Sequence, residues 1–209
     1  MKKSVEVQTV PTEEMQKINT HLPLQDCRCI TLKAVDFHEV WVVEETSREA
    51  WTNFLIRYNH HMESRKHTLL PTTASLKPGR LVAVKIGSRW QRAVLQEVAG
   101  TCYKVFLGDY GEEKAVTKVW SLPPRFCDLP WQAIKIRIRG IEPQPTTSKA
   151  VAAAVMDNRR GKITNIGAAR DGLVADLLLD RQPGQPPVDM AKHWLATNYP
   201  VADITPTGL

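Results

Sequence analysis

RLVAVKIGSRWQRAVLQEVAGTCYKVFLGDYGEE, residues 80–113, is the stretch whose reading decides the fold. Apolar and polar residues alternate along three short runs, and glycine-containing turns separate them. A period of two marks strands with one buried face, and tight turns between such strands fold neighbours into hairpins. The segment therefore predicts a small, bent antiparallel barrel. Two short motifs stand inside it, W-Q-R-A at Trp90–Ala93 and D-Y-G at Asp109–Gly111, and each occurs once, so no internal repeat is present.

Working outward, Arg28–Val43 (RCITLKAVDFHEVWVV) supplies two strand-like runs around Asp36, with Val40 and Val42 alternating against Trp41 and Val43. Thr46-Ser47-Arg48-Glu49 has the pattern of a capping box, in which the Thr46 hydroxyl and the Glu49 carboxylate satisfy orphan amides at a helix start. Trp51, Phe54, Leu55, Tyr58 and Met62 follow at helical spacing and predict a helix with one core-packed stripe. Lys77-Pro78-Gly79 reads as a turn into the barrel. Beyond the barrel, prolines punctuate Leu122–Pro130 and Ala133–Ile141 predicts a strand. Thr147-Ser148 can cap an alanine-rich helix over Lys149–Asp157. Ile163–Ile166 and Leu173–Leu179 read as strands, with Asp171-Gly172 as a turn before the second, and Val188–Thr197 as a last helix burying Met190, Trp194 and Leu195.

Composition narrows the function classes. A chain of 209 residues, 43% hydrophobic and 24% charged, has ordinary globular composition and length for a proper core. No apolar run approaches the length of a membrane span, and Met1-Lys2-Lys3 does not lead into an apolar signal core, so a soluble, cytoplasmic protein is expected. Cys27, Cys29, Cys102 and Cys127 lack CxxC pairing, which points to neither a zinc site nor a disulfide framework. Cys27 and Cys29 share a strand face and read as buried or half-buried residues in a reducing compartment. His38, His60, His61, His67 and His193 have neither metal-ligand spacing nor a nucleophile partner, and no phosphate-cradling glycine loop occurs. No catalytic residue, metal or cofactor is therefore assigned. The formal charge of +6 suits a nucleic-acid partner, yet the basic residues are scattered. Lys135, Arg137 and Arg139 form one of the densest groups, alternating with Ile134, Ile136 and Ile138, as a strand with a solvated face would.

The order of these elements, W-Q-R-A with D-Y-G, and L-P-x-x-F-x-D-L-P-x-Q-A-I at Leu122–Ile134 together resemble the extended Tudor domain. The likeness spans about residues 25–205. It implies a mainly β fold with helices, an SH3-like Tudor barrel inserted into a staphylococcal-nuclease-like OB fold. The organisation is then a mobile arm at 1–24, the first OB half with a linking helix at 25–78, the barrel at 79–122, the second OB half at 123–205 and a tail at 206–209. The resemblance also pairs Arg92 with Asp109 as structural partners on adjacent strands, where a charge-assisted hydrogen bond would pin the register.

Family members that bind symmetric dimethylarginine place aromatic residues at four positions and an asparagine after the glycine of D-Y-G. Here those positions are Ile86, Gln91, Leu107 and Tyr110, followed by Glu112, so Tyr110 alone keeps the aromatic character. Each aromatic face contributes about 0.5–2 kcal/mol to holding a cation, and losing three faces removes most of the discrimination for a methylated guanidinium. Trp90 neighbours the box, and a one-residue slip at Gly87-Ser88 would turn it inward. Glu112 favours unmethylated arginine, which has donors to spare for a carboxylate; alternatively Glu112-Glu113 is a solvated turn.

The resemblance thus implies a non-catalytic module that binds an arginine-containing N-terminal peptide of a PIWI-clade Argonaute protein without requiring methylation. The implied setting is piRNA-guided transposon silencing in perinuclear germ granules (nuage). Two other readings stay open: a scaffold or self-association domain, and RNA binding by the OB-like half through Lys135, Arg137 and Arg139.

Overall fold

The computed structural model describes residues 26–71, 76–142, 149–169 and 172–197. The expected N-terminal arm and tail, the Thr147-Ser148 cap, Asp171 of the expected turn and the side chain of Leu195 lie outside that description. In chain order the elements are β1 Cys27–Ala34, β2 Glu39–Glu44, α1 Arg48–Arg65, β3 Leu81–Ile86, β4 Arg89–Ala99, β5 Cys102–Leu107, β6 Glu112–Val116, β7 Trp120–Ser121, β8 Ile134–Ile138, α2 Lys149–Met156, β9 Arg160–Ala169, β10 Gly172–Leu179, β11 Val188–Asp189 and α3 Met190–Thr197. The described residues divide into two compact units. One comprises 59–107 and 113–130, and the other 26–58, 108–112 and 131–197.

The second unit is a closed OB barrel assembled from both flanks of the sequence. Its sheet runs β11-β10-β8-β2-β1-β9, and β10 pairs back onto β9 to close a ring of five strands. β8 and β10 are parallel, whereas β1–β2, β2–β8, β1–β9 and β9–β10 are antiparallel. That order, with α2 between the third and fourth strands of the ring, is OB topology. Alternation explains the core: Ile134, Ile136 and Ile138 point inward beside Val40, Val42 and Leu177, while Lys135 and Arg137 stay half-exposed. The turn from β1 to β2 is closed by Asp36, whose Oδ1 accepts the amides of His38 and Glu39 at 2.7 and 2.8 Å. Cys29 lies in this core with Cys27 packed against it, and burial pushes the Cys29 thiol up to about 12. At the C-terminal end Met190 is buried, and Trp194 stacks on Phe37 at 4.1 Å.

One local expectation is corrected. The chain enters α1 through a 3₁₀ turn at Glu45–Ser47, so Thr46 is not a helix cap; its hydroxyl donates to Glu44 Oε1 at 2.5 Å and that of Ser47 to the Glu44 carbonyl. An extra tight turn has absorbed the residues that would have formed the capping box. The expected stripe is present nonetheless, with Phe54, Tyr58 and Met62 buried and Trp51 and Leu55 half-buried.

The first unit is the small barrel, with strand order β6-β5-β4-β3-β7. Val82, Val84, Ala93, Leu95, Val105 and Leu107 form its closed apolar inner face, each no more than 1% exposed. The C-terminal half of α1 belongs to this unit and is joined to the barrel by polar side chains. Asn59 Oδ1 accepts the Trp90 amide at 2.7 Å, and Glu63 Oε2 accepts the Trp90 indole N–H at 2.9 Å and Lys85 Nζ at 2.8 Å. Arg92, wholly buried, donates from Nη1 to the carbonyls of Phe126 and Leu129 at 2.9 and 2.6 Å and from Nη2 to that of Pro130 at 3.1 Å. The Pro-rich turn is thus a rigid cradle for one guanidinium. Its fixed φ angles lower the entropy lost in aiming three carbonyls at one point.

Two expectations follow. Arg92→Met should lower stability by about 3 kcal/mol or more, because it removes the charged hydrogen bonds of a wholly buried guanidinium to three carbonyls; chemical denaturation of the whole chain measures this, and Arg92→Lys should not rescue it. Hydrogen bonds from Lys66, Lys85 and Trp90 hold the Glu63 carboxyl down at about 2, below its ordinary value of 4.5. A carboxyl depressed on folding stabilises fully above its unfolded value and loses that contribution as pH falls toward its folded one. Wild type should therefore be more stable than Glu63→Gln near neutrality, with a gap that closes between about pH 4.5 and 2; thermal unfolding across that range checks it, and a constant gap would contradict it.

Candidate functional site

Cross-strand partners on neighbouring strands share a face, so register decides which barrel residues can act together. Ile86 pairs with Arg89 and Val84 with Gln91 across the two-residue Gly87-Ser88 turn, while Leu95 pairs with Val105. Ile86, Gln91 and Leu107 accordingly lie on the inner face of the barrel. Leu107 is 1% exposed and belongs to its core. Ile86 and Gln91 are half-buried at the turn end. The Gln91 side-chain oxygen is itself buried and has no hydrogen-bond partner among the described residues.

The register does not slip, so the inward turn considered for Trp90 as a peptide-binding residue does not occur, and Trp90 is a structural wall. It pairs with Lys85 on the opposite face of β4 and is 1% exposed. Its indole N–H is held by Glu63, its ring stands edge-on to Trp120 at 4.7 Å, and Lys85 Nζ lies 5.5 Å from the ring centre.

The loop at 108–112 belongs with the OB unit, and there four of its residues are anchored. A methyl group on Gly108 would overlap the Trp131 ring, and one on Gly111, which has φ +67°, would overlap Trp41. Two tryptophans therefore lie directly against loop backbone, and side chains at those positions would push them off. Asp109, 2% exposed, accepts the Gln132 amide at 3.3 Å. Glu112 forms a 2.6 Å ion pair with Lys33, both side chains being less than one-third exposed. It is thus neither a solvated turn residue nor an uncompensated acid. Tyr110 turns its ring toward Trp51, at 6.4 Å and 66°, and Trp51 in turn stacks on Phe54 at 5.3 Å and 14°.

Trp41, Trp51 and Trp131 were not legible as site residues, since strand alternation and helical spacing assigned the first two to packing. The glycines flanking Asp109 and Tyr110 are the signal that something large lies against the loop.

The basic row on β8 is charge-compensated. Lys135 and Arg137 face Glu39 at 3.5 and 3.2 Å, and Arg139 faces Asp176 at 3.1 Å. Three cations thus meet two carboxylates on the same sheet, which leaves little of the uncompensated positive stripe that a nucleic-acid backbone requires. Among the described residues no group of three or more His, Cys, Asp or Glu side chains could hold a metal ion, and no helix is long and apolar enough to cross a membrane.

Comparison with known proteins places this geometry. Tudor domain-containing protein 7 of Xenopus tropicalis is 41% identical over 70 residues, and Tudor domain-containing protein 7B of Danio rerio is 31% identical over 78. Those segments are 32% and 36% of this chain, and only 6% and 7% of the two relatives' lengths. Among solved structures, the extended Tudor domain TD3 of mouse TDRD1, in complex with a MILI peptide containing dimethylarginine, superposes with a TM-score of 0.72 at 14% identity, covering 86% of this chain and 94% of that one. The extended Tudor domain of BmPAPI with symmetric dimethylarginine gives 0.70 at 15% identity, covering 87% and 100%. That of Drosophila melanogaster Tudor-SN gives 0.68 at 17%, covering 88% and 87%. These likenesses establish the extended Tudor fold. A Tudor domain model matches residues 22–140, more than half of the chain, and the chain belongs to the Tudor domain family.

Proposed function

We propose that this chain is a non-catalytic interaction module that binds an arginine-containing N-terminal segment of a PIWI-clade Argonaute protein and does not require the arginine to be methylated. Tudor domains bound to MILI and Aubergine peptides are among the solved structures that share its fold, which supports a peptide partner of that kind. A partner of that kind would place the chain in piRNA-guided transposon silencing, in perinuclear germ granules.

The observation that carries methylation independence is Gln91. Where dimethylarginine-binding relatives have an aromatic wall, this chain has a half-buried amide whose oxygen is desolvated and has no donor among the described residues. A buried acceptor left unpaired costs about 1–3 kcal/mol, and a peptide N–H that meets it when the half-buried side chain turns outward recovers that cost. Methylation removes donors from arginine and adds bulk that needs aromatic walls, and Ile86 and Leu107 supply none.

Calorimetry with matched unmodified and symmetrically dimethylated Arg-Ala repeat peptides is the test. The two affinities should agree within tenfold, about 1.4 kcal/mol; a larger preference for the methylated peptide would sink the proposal. Gln91→Phe should shift preference toward the methylated peptide. Tyr110→Ala should weaken both peptides by about 0.5–2 kcal/mol, the worth of one aromatic face.

A further inference from the structure

Tyr110 is the one residue of the 108–112 loop whose ring is directed at another aromatic ring, and every neighbour in the loop is fixed. Gly108 lies under Trp131, Asp109 holds the Gln132 amide, Gly111 lies on Trp41 and Glu112 is paired with Lys33. Trp51, in the first turn of α1, is fixed by its near-parallel stack on Phe54. Both Trp51 and Tyr110 remain half-buried, whereas Phe54 and Tyr58 behind them are buried. Their planes meet at 66° with centroids 6.4 Å apart. Such a pair is a corner with two π-faced walls, and a delocalised cation can lie against one ring while its edge meets the other. Because loop and helix are both held, little order has to be gained on binding.

We propose that Trp51 is the second aromatic wall of the arginine site, so that the guanidinium is held in a Trp51–Tyr110 corner within the OB unit. This rests on the arginine-peptide reading above and assigns it a specificity residue outside the positions where relatives carry their aromatic walls. The corner takes over the stacking that Ile86, Gln91 and Leu107 do not provide. Two walls grip a guanidinium with or without methyl groups, which accords with weak discrimination between the two. Helical spacing puts Trp51 in the core stripe of α1, and its half-exposure sets it apart from Phe54, Tyr58 and Met62.

The experiment combines calorimetry with indole N–H spectra of the nitrogen-15-labelled chain, using an unmodified Arg-Ala repeat peptide. The Trp51 signal is assigned by its absence in Trp51→Phe. It should shift on adding peptide, and Trp51→Leu should bind about tenfold more weakly while Trp51→Phe, which keeps a ring on Phe54, stays within about threefold of wild type. Peptide binding with an unmoved Trp51 signal, or a folded Trp51→Leu that binds like wild type, would overturn the corner and leave the arginine reading standing. Absence of any binding heat or spectral change in wild type would overturn both. Should Trp51→Leu fail to fold, the Trp51 signal of the wild-type chain decides the matter.

Discussion

A guanidinium with no access to solvent sits at Arg92, and the path of the chain out of the barrel is arranged around it. Leaving a charge of that size without partners in the interior would cost several kcal/mol. The carbonyls of Phe126, Leu129 and Pro130 replace the lost water at 2.6–3.1 Å. This need accounts for the proline-rich turn: carbonyls free of strand partners must converge there, and proline holds them in place without adding amides that would themselves need acceptors. The requirement of one side chain in β4 thus fixes a segment more than thirty residues further along.

The 108–112 loop obeys a second constraint, that of close approach. Where an indole ring lies flat on backbone, no Cβ fits, and the loop has glycine at both such places. Trp41 and Trp131 come from the two sequence segments that flank the barrel and build the OB unit, so the loop is packed against both of those segments. Holding the backbone so firmly gives Tyr110 a defined orientation. The binding hypothesis therefore turns on this residue and its neighbour Trp51, more than on the number of aromatic residues in the family's usual positions.

Much of this is legible in the sequence. Alternation in residues 80–113 marked the barrel strands, and the isoleucines of β8 announced a strand buried on one face, because a period of two reports directly which face is dry. Helical spacing from Trp51 to Met62 gave α1. The start of that helix was misread, since a 3₁₀ turn and a capping box draw on the same residue types. For Trp90, strand alternation gives the face opposite Gln91, and the unslipped register keeps it there, held by Glu63, Asn59 and Trp120, none of them adjacent in sequence.

By itself, then, the sequence determined the small barrel, the strands and helices that flank it, and the motifs that carry the resemblance to the extended Tudor domain, because periodicity, turn glycines and motif spacing are local properties; the nesting of two barrels and the positions of the expected box were implied by that resemblance. Only the tertiary structure decided that Glu112 is tied to Lys33, that the basic row of β8 is met by Glu39 and Asp176, and that Trp51 faces Tyr110. Those are meetings of residues distant in the chain. Whether a charge is compensated or a ring is doubled depends on what folding brings beside it, and no local pattern carries that information.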